Sequence, residues 1–355
     1  MPGRPKLRLS DANADRAGLA ACLAMETAVA LAALAAGKSA VLIGLLIVGP
    51  LCAAGLCSPR ATVGLGAYAA GLALVLGVVH GLATADFASR SLVVVVGAGL
   101  AIWLAFGRAR RESALLQLTE VAEAAQRAIL RAIPRRAGPV NLSARYLSAS
   151  ADALIGGDFY DVASTPFGVR AVLGDVRGKG LDAVRLAAVM LRSFREQAYS
   201  HASLVDLARE MDRSLSAELA AEDFVTAVVM SFTAHGLELL NCGHPPPLAV
   251  TDTDHRWLIP TAVTTPFGLS PDFKVDTFAL EPASRVLFYS DGLVESRSPA
   301  GDFFPLESAG VPCLRRRSLS DALDTLVDDL VEHAGGNVDD DLALLLAELD
   351  ARRRP

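Results

Sequence analysis

Residues 167–180, FGVRAVLGDVRGKG, decide how the chain folds. The mostly apolar run from Phe167 to Val176 reads as a β-strand, with Asp175 near its end and a turn punctuated by Gly178 and Gly180 beyond it. The pattern recurs. Residues 284–290 (SRVLFYS) deliver Asp291 to a glycine, DDLALLL sets Asp340 and Asp341 before a last apolar strand, and GGDFYD places Asp158 behind two glycines. Residues 224–233, 236–242 and 246–251 read as further strands, with His235 and Gly236 at a hairpin turn. Residues 179–199, 202–220 and 318–334 read as helices, the first with an apolar face of Leu181, Val184, Ala188, Leu191 and Phe194. Strand pairs with inserted helix pairs predict an α+β domain, not a doubly wound parallel sheet.

One aspartate at a turn is ordinary, because its side chain caps backbone groups there. Four of them at strand ends suggest a shared site. Clustered carboxylates raise one another's pKa unless positive charge lies between them, and hard divalent ions such as Mg²⁺ or Mn²⁺ take such oxygen ligands. No CxxC or HExxH occurs, so an all-oxygen site is the metal site this sequence can build. Two ions sharing a water would lower its pKa enough to make a nucleophile for phosphoester hydrolysis. Glycines at 178 and 180 would let the backbone behind Asp175 approach such ions, or simply begin a helix.

The first part of the chain is a different material. Residues 1–111 hold ten basic and four acidic residues, a balance of +6, which leaves 23 basic and 35 acidic residues, or −12, for the rest of the 355. An acidic C-terminal part argues against nucleic acid as partner, since phosphate backbones select surplus Lys and Arg. Four apolar runs, roughly 17–36, 40–57, 61–83 and 91–107, each approach the length that crosses a lipid bilayer. Eight basic residues (Arg4, Lys6, Arg8, Arg16, Arg60, Arg108, Arg110, Arg111) fall on one side of the four runs and two (Lys38, Arg90) on the other. That asymmetry puts both termini in the cytoplasm of a multi-pass protein of the bacterial inner membrane. Glu26 is costly within the first run: it marks a sensing group, a helix end near the interface, or a protonated acid bonded inside the bundle. Gly64, Gly66, Gly71, Gly77 and Gly81 allow close helix packing. The five cysteines read as structural.

Between the two parts, residues 108–134 carry apolar positions at Leu115, Leu118, Ala122, Ala125, Ile129 and Ile133 and end at Pro134. This is an amphipathic connector helix that packs on its own domain or forms the seam of a homodimer. The expected organisation is a tail at 1–16, four membrane helices at 17–107, the connector at 108–134, a catalytic domain at 135–350 and a basic tail at 351–355.

The ordered set ARY, GGDFYD, GDVRGKG, VTAVV, NCGHPPPL, TPFGL, LFYSDGLVES, GDFF and DDLALLL resembles the PPM-type metal-dependent protein serine/threonine phosphatases. Within them it resembles the bacterial branch typified by the sporulation phosphatase SpoIIE and the stress-pathway phosphatase RsbU. The resemblance covers about residues 120–349. It implies a β-sandwich of two antiparallel sheets flanked by helices, with two Mn²⁺ or Mg²⁺ ions at one edge. By the same resemblance Asp175 bridges both ions, the Val176 carbonyl binds one, Asp291 and Asp340 complete the second, and Asp158 lies beside the first. Gly178, Lys179, Gly180, Asp341 and His244 are supporting candidates. Lys179 stands where many relatives have histidine and is either a general acid or a solvated charge; His244 is expected to order its loop, and Arg145 and Arg177 are candidates for phosphate contact. The implied substrate is a phosphorylated STAS-domain anti-sigma-factor antagonist. Competing readings are a catalytically inactive pseudophosphatase scaffold and, from GGDF, a diguanylate cyclase. The cyclase needs a second acid where Phe159 stands. A histidine kinase lacks its glycine-rich nucleotide lid here.

Overall fold

The computed structural model describes residues 6–35, 40–79, 85–148, 156–220, 222–233, 236–262, 264–269, 272–281, 283–316, 318–336, 338 and 340–350. Lys38, Gly81, His235 and residues 1–5 and 351–355 lie outside the described residues, as do the side chains of Leu115, Leu118, Ala122 and Ala125 on the connector stripe. The chain divides into two compact units, Met1–Gln117 and Leu118–Pro355.

The first unit is helical: α1 (Lys6–Ala35), a 3₁₀ segment (Ala40–Ile47) running into α2 (Val48–Leu56), α3 (Pro59–Val79) and the first part of α4 (Ala85–Ile129). Three stretches, Asp15–Ala35, Pro59–Val79 and Ala88–Ala114, are long and apolar enough to cross a membrane, whereas the second expected run yields only the shorter Leu42–Leu56. Pro50 explains the difference. Its ring excludes the carbonyl four residues back and it has no N–H to donate, so the α-helix begins just before it and the preceding turns relax to 3₁₀ geometry. Glu26 lies well inside α1, 1% exposed, and neither carboxylate oxygen has a hydrogen-bond partner among the described residues. It packs against Gly49, where a Cβ would come within 2.2 Å of Oε1. The connector runs on from the last apolar run within α4, which stops at Ile129, short of the expected end at Pro134.

The second unit stacks helices, two antiparallel sheets and helices. One sheet has the order β3-β4-β5-β6-β9, built from Phe159–Thr165, Gly168–Val176, Val225–Thr233, Gly236–Cys242 and Asp276–Phe278. The other has the order β1-β2-β11-β10-β7-β8, built from Arg136–Ala137, Val140–Leu147, Leu342–Leu349, Arg285–Tyr289, Leu248–Val250 and His255–Trp257. Side chains alternate as a pleat requires. In β11, Ala343, Leu345 and Ala347 enter the core between the sheets, while Leu342, Leu344 and Leu346 pack with α7 (Val311–Leu314) and α8 (Leu319–His333). In β4, Val169, Ala171 and Leu173 face the inter-sheet core, while Val172 and Val176 meet α5 (Leu181–Gln197) and α6 (Leu204–Ser216). Both sheets are therefore covered on both faces, which is why their strands read as nearly unbroken apolar runs. The buried apolar face of α5 is Ala183, Val184, Leu186, Ala187, Met190, Leu191 and Phe194. Leu181, assigned to that face from spacing, is 43% exposed at the first turn. Helices α6 and α8 begin at Ser203 and Ser318, whose side chains accept from the backbone N–H of Val205 and Asp321.

Candidate metal centre

Strand ends from both sheets meet in a cavity of about 100 Å³ lined by Gly156, Asp158, Asp175, Val176, Gly178, Lys179, Asp291, Asp340 and Asp341. Register explains the meeting. Asp175 is the penultimate residue of β4, paired with Thr226, and Asp291 and Asp340 flank the adjacent ends of β10 and β11 in the facing sheet. A bridge between Gly156 and Lys179 brings the GGD segment against the turn that follows β4. Two glycines make that approach close. A Cβ on Gly157 would lie 2.5 Å from Val176 Cβ and 2.8 Å from its carbonyl oxygen, and one on Gly156 would lie 2.7 Å from Asp341 Oδ2.

A Cβ at Gly178 or Gly180 would meet no protein atom within 4 Å, so neither glycine is required by packing. Their φ angles of +104° and +87° require them instead: the turn uses left-handed backbone that only glycine adopts without strain. Gly180 is also the N-cap of α5.

Asp158 is 3% exposed, and Ser290 Oγ donates to its Oδ2 at 2.6 Å. Ser290 Oγ in turn accepts from Ala343 N at 2.9 Å, so a hydroxyl at the end of β10 both holds β11 and aims Asp158. Burial, and then the charge of Asp175, pushes the Asp158 carboxyl well above its ordinary range. Asp175 is pushed up to about 7 by burial and by Asp291, and Asp291 itself is raised by burial and by Asp340. Asp158 and Asp175 lie within hydrogen-bonding reach of each other, and a pair of carboxyls this close and this buried shares a proton when no cation is present. A divalent cation can do the work of that proton, and an all-oxygen donor set of this kind fits Mg²⁺ or Mn²⁺. Among the described residues no three acidic, imidazole or thiol side chains stand close enough to enclose one ion, and the carboxylates are spread along the cavity.

Lys179 is not a solitary solvated charge: its Nζ donates to Asp340 Oδ1 at 2.7 Å, and that bond raises its pKa. Asp341 accepts from Tyr146 Oη at 2.5 Å and from Gly156 N at 2.8 Å. His244 lies deep between the sheets. Its Nε2 donates to the Tyr289 carbonyl at 3.1 Å, and its Nδ1 pairs with Thr226 Oγ1 at 3.1 Å. Burial lowers its pKa to about 4, so the ring is neutral and accepts at Nδ1. It thus ties β5, at the residue opposite Asp175, to β10, two residues before Asp291. Asn241 closes the loop, exchanging two hydrogen bonds with the His244 backbone.

The arginine candidates are engaged elsewhere. Arg145 makes a two-pronged ion pair with Asp324 of α8 at 2.6 and 2.8 Å, and Arg177 donates to the Glu222 carbonyl and lies over Phe224. Sequence reading passed over Ser290, Thr226 and Tyr146 although all three sit inside quoted motifs. The signal available was position: hydroxyls at strand ends beside an acid.

Two facing antiparallel sheets between helix pairs, with aspartates at one edge, define the PPM phosphatase fold. The sequence model of the family described as Stage II sporulation protein E (SpoIIE) matches residues 165–350, just over half of the chain, and the chain belongs to that family. Among solved structures it is similar to the RsbU and RsbW domains of Rv1364c from Mycobacterium tuberculosis, at 28% identity and TM-score 0.51, over 61% of this chain and 61% of that one. It is also similar to the SiaA-PP2C domain of Pseudomonas aeruginosa, at 17% identity and TM-score 0.54, over 68% of this chain and 98% of that one. The chain thus spans about three fifths of the length of the Mycobacterium chain it matches.

Proposed function

We propose that the protein is a membrane-anchored protein serine/threonine phosphatase that hydrolyses phosphoserine or phosphothreonine of a partner protein. The single observation carrying this reading is the shared cavity of Asp158, Asp175, Asp291 and Asp340 at the edge of the two sheets. Asp175 and the Val176 carbonyl would hold one divalent ion, with Asp158 beside it, and Asp175, Asp291 and Asp340, which stand too far apart to enclose an ion as they are placed, would draw together on the other. Bound there, Mn²⁺ or Mg²⁺ supplies neutralisation of phosphate charge and acidification of water. The residues present do the positioning: Ser290 orients Asp158, His244 holds the strand ends of Asp175 and Asp291 together, and Lys179 keeps Asp340 at the cavity rim. The RsbU domain in the Mycobacterium structure supports a substrate in sigma-factor regulation, and we assign a phosphorylated STAS-domain antagonist. The three long apolar helices support bilayer anchoring, and the basic-residue asymmetry supports cytoplasmic termini. Pairing through the connector helix and the phosphatase domain is part of the same proposal.

The test is phosphate release from a phosphoserine STAS protein by the full chain in detergent micelles, with and without Mn²⁺. Release that depends on Mn²⁺ and drops at least 100-fold in Asp175→Asn and Asp291→Asn is expected. Mn²⁺ binding without turnover would instead identify a pseudophosphatase scaffold.

A further inference from the structure

The end of α4 supplies a side chain to the edge of the site. Gln126 is 4% exposed, and its amide nitrogen donates both of its hydrogens: to Tyr146 Oη at 2.5 Å and to the Gly156 carbonyl at 3.1 Å. Tyr146 passes its own proton toward Asp341 Oδ2 at 2.5 Å, and the same oxygen accepts from Gly156 N at 2.8 Å. Four groups from four places in the sequence therefore close a ring: α4, β2, the GGD segment and the start of β11. The donors and acceptors match. An amide has two N–H groups and both are used, the phenol accepts one bond and donates one, and the carboxylate only accepts. Burial and the neighbouring acids raise the Tyr146 pKa, so it stays a donor.

Gly156 is held from both sides, by its N–H on Asp341 and its carbonyl on Gln126, and it lies two residues before Asp158. The space is fitted to this arrangement, since any side chain at Gly156 would strike Asp341. Asp340 is the neighbour of Asp341 in the chain, and its Oδ1 accepts from Asp341 N at 3.1 Å. One ring of hydrogen bonds thus fixes the backbone on which two cavity aspartates, Asp158 and Asp340, are mounted.

We propose that Gln126 is a positioning residue for the metal centre, acting through Tyr146, Asp341 and Gly156 to hold Asp158 and Asp340 in place for a divalent cation. This rests on the metal-binding reading of the site given above. Its consequence is that the site is complete only when the C-terminal end of α4 is seated on the domain. A partner that supports an oriented ligand without touching the ion is worth about 10- to 100-fold in metal affinity.

The test uses the full chain in detergent micelles and two readouts, Mn²⁺ affinity by calorimetry and amide exchange at Gly156–Asp158 in chelator. Gln126→Leu and Tyr146→Phe are each expected to weaken Mn²⁺ at least tenfold and to speed exchange at Gly156 at least tenfold. The double variant should be little worse than either single one, because both act through one ring. Unchanged affinity and unchanged exchange in both variants overturn the proposal, as does a drop in melting temperature with neither readout altered. A wild-type chain that binds no Mn²⁺ refutes the metal reading. Exchange at Gly156 then decides alone whether Gln126 positions the loop.

Discussion

His244 makes a prediction whose sign and size both follow from its surroundings. The ring is buried between the sheets with its Nε2 proton on the Tyr289 carbonyl and its Nδ1 facing Thr226. Protonation would add a charge with no carboxylate to receive it, and burial lowers the pKa from an ordinary 6.5 to about 4. A folded-state pKa below the unfolded value means that the unfolded chain takes up the proton first. The stability His244 allows is therefore full above pH 6.5 and falls as pH drops toward 4. Each unit of pKa difference is worth about 1.4 kcal/mol, so the loss reaches about 3 kcal/mol by pH 4. Asp175 works in the opposite direction, because its raised pKa makes the folded chain the better proton acceptor in the same window. The two must be separated by difference. His244→Gln keeps a donor and an acceptor and cannot titrate; at pH 7 it should cost about 1–3 kcal/mol through poorer hydrogen bonds. That cost should vanish or reverse by pH 4. Urea unfolding followed by Trp257 fluorescence reports the right place, since the indole lies edge-on to Tyr289 with ring centroids 6.3 Å apart. Trp103→Phe removes the other tryptophan. A wild-type minus His244→Gln difference that is flat from pH 7 to pH 4, both in chelator, would refute the neutral inter-sheet tie.

Three further outcomes are expected. Gly157→Ala places a methyl 2.5 Å from Val176 Cβ, an overpacking expected to cost about 1–3 kcal/mol by thermal unfolding and to abolish Mn²⁺ binding by displacing the Val176 carbonyl. Lys179→Met frees Asp340 from a half-exposed ion pair worth about 0.2–1 kcal/mol, so Mn²⁺ should bind about 1.4- to 5-fold more tightly; a fall in turnover beyond 100-fold would instead make Lys179 the general acid. In chelator, the stability of wild type minus that of Asp175→Asn should fall as pH rises from 4 to 7, because the raised pKa of Asp175 is titrated in that window, and Mn²⁺ at 100 times its Kd should add about 2.7 kcal/mol to wild type at pH 7, both read as unfolding midpoints.

What could be read from the chain in advance was what repeats along it. Apolar runs bounded by aspartate located β4, β10 and β11, and with them the cavity residues Asp175, Asp291, Asp340 and Asp341. Short strands with little apolar content, such as His255–Trp257 and Asp276–Phe278, left no such trace, because their hydrogen bonds are set by the neighbours they join at sheet edges. The second apolar run is helical from Ala40 to Leu56 but in 3₁₀ geometry up to Ile47, a change that hydropathy does not register because it follows from the lost N–H of Pro50. The site divides along the same line. An acid beside a glycine turn announces itself locally, whereas Ser290, Tyr146 and Gln126 have meaning only through partners 132, 195 and 30 residues away, on Asp158, Asp341 and Gly156. Five aspartates facing one small cavity are electrostatically unstable by themselves, and the residues that make them tolerable are neutral donors: a serine, a tyrosine and backbone N–H groups. A neutral donor stabilises a carboxylate without competing for its charge, so the cluster keeps its demand for a cation. Cationic partners at all five positions would have satisfied that demand from within; the ion pair seen is that of Lys179 with Asp340 at the rim.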